Sequence, residues 1–200
     1  MSRENPDTRE RILQAAWALL EASPSKPVRM GDIAAQTGIS RQALYLHFPT
    51  RAELLVATAK YLDEVKGVDA RLAASRTAAT GRKRLRAFIE AWGNYIPEIY
   101  GVARAFMAMQ DSDEAAAEAW HDRMQAVRQG CEAAVKALKG EGALAPDHSP
   151  RQASDILWTL LSVRNWEQLT IGCGWSQKRY LETMTTMAEK LLVVDRAKKS

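Results

Sequence analysis

The sequence predicts an all-α protein of about nine helices, in which a small three-helix domain precedes a larger helical domain. Apolar residues recur three and four positions apart along most of the chain, and no segment shows the alternation of a half-buried strand. Two short helical patterns, hinged on Gly38, lie between Met30 and Arg51. The 200 residues, 46% of them hydrophobic, suffice for a small domain joined to a larger one. We therefore predict domains over residues 1–66 and 67–200.

The first of the two short helices has one apolar face, formed around Ile33 and Ala34. Gly38 follows where a tight turn requires a positive φ, which glycine adopts without steric cost. Ser40 has the side chain of an N-cap, because its hydroxyl can accept from a free amide of the next turn. The second helix is therefore predicted to begin at Arg41.

Four polar side chains are predicted to face outward from the second helix: Arg41, Gln42, Tyr45 and His47. Two short helices joined in this way are typical of a helix-turn-helix, whose second helix contacts bases mainly through its N-terminal residues. We expect Arg41 to pair with a guanine edge and Gln42 with an adenine edge, each pair supplying ~1–3 kcal/mol of discrimination. Tyr45 and His47 are expected to hold phosphates. Residues 33–52 contain no Asp or Glu, as a surface for a polyanion requires.

The end of the second helix is also predicted. Leu44 and Phe48 supply its inner face, and Pro49 cannot continue it. A capping box at 50–53, Thr-Arg-Ala-Glu, then predicts the start of another helix. Arg51 lies in the first turn of that helix, where free amides and the helix dipole favour an anion. We therefore expect Arg51 and the helix terminus to clamp one phosphate.

Residues 8–63 resemble the DNA-binding domain of the TetR family of transcriptional regulators. The matching residues are Arg11-Ile12-Leu13, Ala15-Ala16, Asp32-Ile33-Ala34, Gly38-Ile39-Ser40, Leu44-Tyr45, His47-Phe48, Arg51 and Glu53-Leu54-Leu55. By this resemblance the DNA-facing positions are Ser40, Arg41, Gln42, Tyr45, His47 and Arg51. The chain departs from the family pattern at Pro24, where a glycine is usual, and at Arg29, where a Ser or Thr cap is usual. We expect Arg29 to touch a phosphate instead of capping. The resemblance alone implies repression.

The remainder of the chain reads as helices. Breaks are expected at Gly81, Pro97, Gly101, 111–113, 140–150 and 172–174. The segment 156–161 is apolar nearly all round, and apolar residues of 180–192 cover two faces. Such helices are buried on two sides, and a second copy of the chain most simply covers the outer side. The resemblance implies a homodimer in which the last two helices form a four-helix bundle. The alternative is a monomer with a thick core.

Dimerisation would place two recognition helices in successive major grooves ~34 Å apart, so the operator is expected to be a palindrome. A small-molecule effector could shift the population away from the DNA-competent state, with the helix that starts at Thr50 as the lever. The candidate effector-binding residues are Trp92, Tyr95, Phe106, Met107, Trp120, His121, Met124, Trp158 and Trp166. Their aromatic character favours an apolar or aromatic effector. Ordinary core packing is the alternative for each of them.

Other classes of function find less support in the sequence. The formal net charge of +4 does not by itself mark a DNA binder. The three histidines are far apart, and no nucleophile motif, phosphate loop or metal-ligand spacing accompanies them, so we expect no enzyme, metal or cofactor. Cys131 is expected in the core, and with Cys173 it forms no disulfide framework. With no signal-like N-terminus and no membrane-length apolar run, a cytoplasmic location is expected. A helical small-molecule carrier or interaction module, with a structural N-terminal unit, is the alternative function.

Overall fold

The computed structural model describes residues 7–24 and 26–194, and over these residues the protein is all-α, as predicted. The described residues form ten α-helices: α1 (Thr8–Ala22), α2 (Met30–Thr37), α3 (Arg41–His47), α4 (Arg51–Val65), α5 (Val68–Arg76), α6 (Gly81–Met109), α7 (Glu114–Gly140), α8 (Pro150–Leu160), α9 (Val163–Glu167) and α10 (Gln177–Leu192). A π-helical turn, Gln168–Gly172, continues α9. An isolated antiparallel bridge joins Leu144 to Val193. The first six residues, on which the absence of a signal peptide was judged, lie outside the described part.

The helices group into two compact units, and each unit is formed by two separate segments of the chain. The first unit contains Met1–Lys66 and Ile99–Met124, and the second contains Gly67–Glu98 and Gln125–Ser200. The first unit thus includes a segment of α6 and α7 in addition to the four N-terminal helices. The division of function between residues 1–66 and 67–200 stays a prediction.

The first unit has a core built on α1. This helix packs against α2 and α4. Its fully buried Ile12 and Leu20 lie in one cluster with Ile33, Leu44 and Leu54 of the next three helices. Residues from 99–119 complete the same cluster: Val102, Ala105, Phe106, Met109, Ala116 and Ala119. The short helices α2 and α3 are therefore held by apolar contacts with longer helices, since helices of this length are marginal alone.

Helix α6 continues through Pro97 and Gly101, where the sequence predicted breaks. A proline has no N–H, so the carbonyl of Gly93 loses the donor it would have four residues later. Nε2 of Gln177, on α10, donates to that carbonyl at 2.8 Å. Oε1 of Gln177 in turn accepts from the indole N–H of Trp166 at 2.9 Å. A side chain distant in sequence thus replaces the missing helical hydrogen bond, and the helix is not broken.

The other predicted breaks coincide with helix ends, and α8, α9 and α10 each begin at a serine cap. Ser149 forms a full capping box with Gln152 at the start of α8. Ser176 caps α10, accepting from the amide of Arg179 at 3.2 Å. Cys131 on α7 is fully buried, as predicted. The break between α8 and α9, where Ser162 caps α9, was not predicted from the sequence.

Candidate nucleic-acid interface

The α2–turn–α3 unit has the geometry that its sequence predicts. Gly38 ends α2 in the left-handed conformation, with φ of 70°. The hydroxyl of Ser40 accepts from the amide of Ala43 at 3.1 Å, so α3 begins at Arg41. Leu44 is fully buried and Phe48 is 2% exposed, which fixes the inner face of α3. The start of α4 is capped as well, by a bond from the amide of Glu53 to the hydroxyl of Thr50 at 3.1 Å.

The opposite face of α3 is exposed and free of acidic residues. The predicted DNA-facing side chains Ser40, Arg41, Gln42, Tyr45 and His47 are all exposed, and so is Arg29. The guanidinium of Arg41 lies over Gly31, where Nε would be 3.0 Å from an added Cβ. Sequence reasoning did not include Leu46, which is 83% exposed on this face. The signal available for it was its spacing of one helical turn from Gln42.

Arg29 occupies the N-cap position of α2, in extended conformation and with no side-chain cap bond. Its own carbonyl accepts from the amides of Asp32 and Ile33 at 3.0 and 3.2 Å. The side chain is therefore not committed to capping, in agreement with the departure noted in the sequence. Its contact with a phosphate stays a prediction.

Arg51 does not have the position expected of a phosphate clamp. Its Nη1 and Nη2 donate to the two carboxylate oxygens of Asp113 at 2.6 and 2.7 Å, and its Nε donates to the carbonyl of Val28 at 2.5 Å. The side chain of Asp113 is only 8% exposed and that of Arg51 23%. The bidentate bond from Arg51 holds the pKa of Asp113 below its ordinary value. We therefore correct the interpretation: the guanidinium is used inside the protein.

This ion pair ties three segments of the first unit together. Arg51 lies in the first turn of α4, Val28 precedes α2, and Asp113 precedes α7. Asp113 also accepts from the amide of Ala116 at 3.2 Å, so the same carboxylate caps α7. Sequence reasoning missed Asp113, which it treated only as part of a break. Helices α2 and α3 lie between Val28 and Arg51 in the chain. The guanidinium of Arg51 therefore joins the segment before α2 to the start of α4.

Two further arginines support the helix-turn-helix from α1. Nη2 of Arg11 donates to the carbonyl of Thr37 at 2.5 Å, at the C-terminal end of α2 where free carbonyls favour a cation. The guanidinium of Arg9 lies 4.9 Å from the ring centroid of Phe48, at the end of α3. These contacts fix the ends of the two short helices. They do not involve the exposed side of α3.

The predicted effector-binding residues are divided between the two units. Phe106 is in the core of the first unit and Trp120 packs against that core; Met107, His121 and Met124 belong to the same unit. In the second unit the rings of Trp92 and Tyr95 are 6.1 Å apart, Trp158 lies under the guanidinium of Arg128, and Trp166 is buried against Gln177. For Phe106 and Trp120 the structure supplies a packing role. An effector-binding role for the nine residues stays a prediction.

A groove of about 680 Å³ lies between α6 and α10 in the second unit. It is lined mainly by polar residues: Arg86, Glu90, Asn94, Gln177, Lys178, Glu182, Thr185, Thr186 and Glu189, with Leu181. None of the nine predicted residues lines it. Arg86 donates to both carboxylate oxygens of Glu189 at 2.6 and 2.8 Å, which lowers the pKa of Glu189.

Within residues 7–24 and 26–194 no group of three or more His, Cys, Asp or Glu side chains is arranged to hold a metal ion. Over the same ranges, none of the helices combines the length and the apolar composition needed to cross a lipid bilayer.

The fold and this surface define a helix-turn-helix protein in which further helices follow the DNA-binding motif. Residues 12–58 match the family described as "Bacterial regulatory proteins, tetR family". The N-terminal domain of the chain is therefore similar to that of the TetR family of helix-turn-helix transcriptional regulators. Members of this family are non-enzymatic DNA-binding proteins.

Among curated proteins, the chain is similar to the nucleoid occlusion factor SlmA of Marinomonas sp. (strain MWYL1), at 38% identity over 64 residues. That match covers 32% of this chain and 32% of SlmA. The chain thus matches about a third of the length of such relatives, and the likeness concerns the N-terminal domain.

Solved structures share the fold over nearly the whole chain. A candidate transcriptional regulator from Saccharomonospora viridis, in complex with choline, has a TM-score of 0.71 at 21% identity and covers 94% of this chain and 98% of its own. The SmeT–triclosan complex has a TM-score of 0.68 at 20% identity and covers 94% and 93%. At this identity the likeness concerns the fold.

Proposed function

We propose that the protein is a ligand-responsive transcriptional repressor that binds a palindromic operator as a homodimer. The observation that carries the proposal is the exposed, acid-free face of α3, which is fixed from behind by Leu44 and Phe48 and from its N-terminus by the Ser40 cap. A helix held this firmly, with polar side chains on its outer face, suits insertion into a major groove. The proposed place of action is the cytoplasm, where operator DNA lies.

The proposed contacts divide into base and phosphate contacts. Gln42 is exposed near the N-terminus of α3 and is assigned to an adenine edge. Arg41 is assigned to a guanine edge, which requires its guanidinium to leave Gly31. Phosphate contacts are assigned to Arg29, Ser40, Tyr45 and His47. Arg51 is removed from this set because Asp113 already neutralises its charge.

The proposed dimer interface is formed by α8 and α10, the last two long helices of the second unit. On α10 the inward positions Tyr180, Met184, Ala188 and Leu192 are buried, which leaves Met187 and Leu191 39% and 41% exposed on another side. A second copy of the chain would cover this outer apolar face. An isologous contact of this kind supplies the two-fold axis that a palindromic operator requires.

The proposed effector is a small, apolar or aromatic molecule. Its proposed binding residues are among the nine effector-binding candidates predicted from the sequence. The structural neighbours were solved with an organic cation, choline, and with a chlorinated phenol, triclosan. Both ligands are of a size that the family's fold accommodates. They support a ligand-responsive function but do not indicate a particular effector. An effector that binds one conformation more tightly shifts the population of DNA-competent protein.

Selection of bound DNA from a random pool tests the central proposal. The expected result is an enriched palindrome whose affinity falls steeply as salt rises. Gln42→Ala is expected to relax preference at one base position per half-site, at a cost of ~1–3 kcal/mol per contact. A matched control is Gln36→Ala, at an exposed position of α2, which is expected to leave the preference unchanged. Recovery of no enriched sequence would contradict the proposal and favour a carrier or interaction module.

A further inference from the structure

Leu46 is an apolar side chain at the centre of a polar surface. It is 83% exposed, the highest value among the large exposed hydrophobic residues of the described chain. The other apolar residues of α3 behave in the opposite way, since Leu44 is fully buried and Phe48 is 2% exposed. With 3.6 residues per turn, Leu46 lies on the side of α3 opposite Leu44. The fold therefore derives little packing energy from it.

The residues around Leu46 indicate what kind of partner its side chain would contact. Gln42 lies one helical turn earlier on the same face, and Tyr45 beside it is 48% exposed. No acidic residue occurs over 33–52, so the face as a whole favours a polyanion. An exposed leucine on this face gains energy only from an apolar partner. In the major groove the thymine C5-methyl is the apolar group on the base edges, and the other edge groups are hydrogen-bond donors or acceptors.

We propose that Leu46 is a specificity-determining residue that packs against a thymine C5-methyl in each half-site. The inference rests on the proposed function, because it requires α3 to enter a major groove. It adds a thymine to the base contacts of Gln42, on the same or a neighbouring base pair, because one turn of α-helix spans ~5.4 Å. Half-sites bound by this protein should therefore contain a thymine whose methyl group, and not its hydrogen-bonding edge, is recognised.

Deoxyuridine in place of thymidine isolates that methyl group. The full-length protein is titrated with its selected operator and with operators in which one thymine per half-site is replaced symmetrically by uracil. At one position the affinity is expected to fall about fourfold per half-site, the change that ~0.8 kcal/mol per buried carbon group implies. Leu46→Ala is expected to bind the thymine operator as weakly as the wild type binds the uracil one. Uracil should then cause no further loss in the variant.

Gln42→Ala is the matched control, because it weakens binding through a different contact and should keep the full effect of uracil. Leu46→Met, which preserves an apolar side chain, should retain most of the methyl preference. The exposure of Leu46 means that both variants at this position are expected to fold, and circular dichroism verifies this.

Several outcomes overturn the inference while leaving the proposed function standing. One is an operator that binds equally well with thymine or uracil at every position. Another is a uracil effect that is the same in wild type and Leu46→Ala. A uniform loss on both operators, with an altered oligomeric state, would assign Leu46 to a protein contact. If the selection enriches no DNA at all, the proposed function and this inference fall together.

Discussion

Asp113→Asn tests the role of the ion pair that replaces the expected phosphate clamp. The change keeps a side-chain oxygen that can accept from the amide of Ala116, so the cap of α7 is retained. It removes the negative charge to which Arg51 donates two hydrogen bonds. Hydrogen bonds to charged groups contribute ~1.5–3 kcal/mol, and loss of one partner of a fully buried pair costs ~3–5 kcal/mol.

The partial exposure of Arg51 lowers this cost, since 23% of its side chain remains in water. We expect the free energy of unfolding to fall by about 1–3 kcal/mol, which for a chain of this size is a loss of ~2–4 °C in Tm per kcal/mol. Asp69→Asn is the matched control, because Asp69 pairs with Arg76 while 87% exposed. It is expected to change stability by less than ~0.5 kcal/mol.

The pH dependence has a defined sign. The pKa of Asp113 is lowered in the folded state, so the pair stabilises the protein above the unfolded-state pKa of about 4. This contribution is lost as the pH falls through the lowered, folded-state pKa. The difference in unfolding free energy between wild type and Asp113→Asn should therefore be constant near neutrality and shrink below pH ~4. A difference that is absent at pH ~7 would refute the reasoning.

Operator binding supplies a second measurement. A residue that contacts a phosphate lowers the slope of log K against log salt by about one when it is replaced. Arg51→Ala is expected to reduce affinity through a misplaced α3 while leaving this slope unchanged. Arg29→Ala, at an exposed position, is expected to reduce the slope. If Arg51→Ala reduces the slope and Asp113→Asn leaves stability unchanged, Arg51 is a phosphate contact and the ion pair is incidental.

Two further predictions concern the second unit. Gln177→Leu should lower the unfolding free energy by ~1–3 kcal/mol because it removes the donor to Gly93, and the loss should be smaller in a Pro97→Ala background, whose N–H at position 97 can serve that carbonyl. Equal losses in the two backgrounds, measured by thermal unfolding, would contradict this account of the helix. Thiol labelling of the native protein at pH about 8 should modify the exposed Cys173 and spare Cys131, because burial raises the pKa of the Cys131 thiol to about 12. Equal labelling of both thiols would argue that α7 opens on the labelling timescale.

The parts of the fold that were predicted from sequence depend on local chemistry. Gly38, Ser40 and Thr50 each act on backbone groups within a few residues, so their identity and spacing were sufficient to locate α2, α3 and the start of α4. The inner face of α3 was predictable for a similar reason, because Leu44 and Phe48 are one turn apart. Local signals of this kind are read correctly when no tertiary partner competes for the same groups.

Two of the misread features involve partners distant in sequence. Arg51 was assigned to a phosphate because its local position favours an anion, and the anion is supplied by Asp113, 62 residues away. Pro97 was assigned to a helix break because it lacks an N–H, and Gln177, 84 residues from Gly93, supplies the donor. In both cases the local chemistry was identified correctly. The sequence did not show which distant residue supplies the anion in one case and the hydrogen-bond donor in the other.

The Arg51–Asp113 ion pair provides a route by which the proposed effector would act on α3. Asp113 precedes α7, a helix that begins in the first unit and continues through residues of the second. We expect a displacement of the first turn of α7 to reach α4 and Val28 through the hydrogen bonds of Arg51. An effector can shift this arrangement only by the difference between its affinities for the two conformations. Coupling of this kind is typically ~1–3 kcal/mol, which is about 5- to 150-fold in operator affinity. If this pair is the principal link, Asp113→Asn should bind operator and effector while losing most of that coupling.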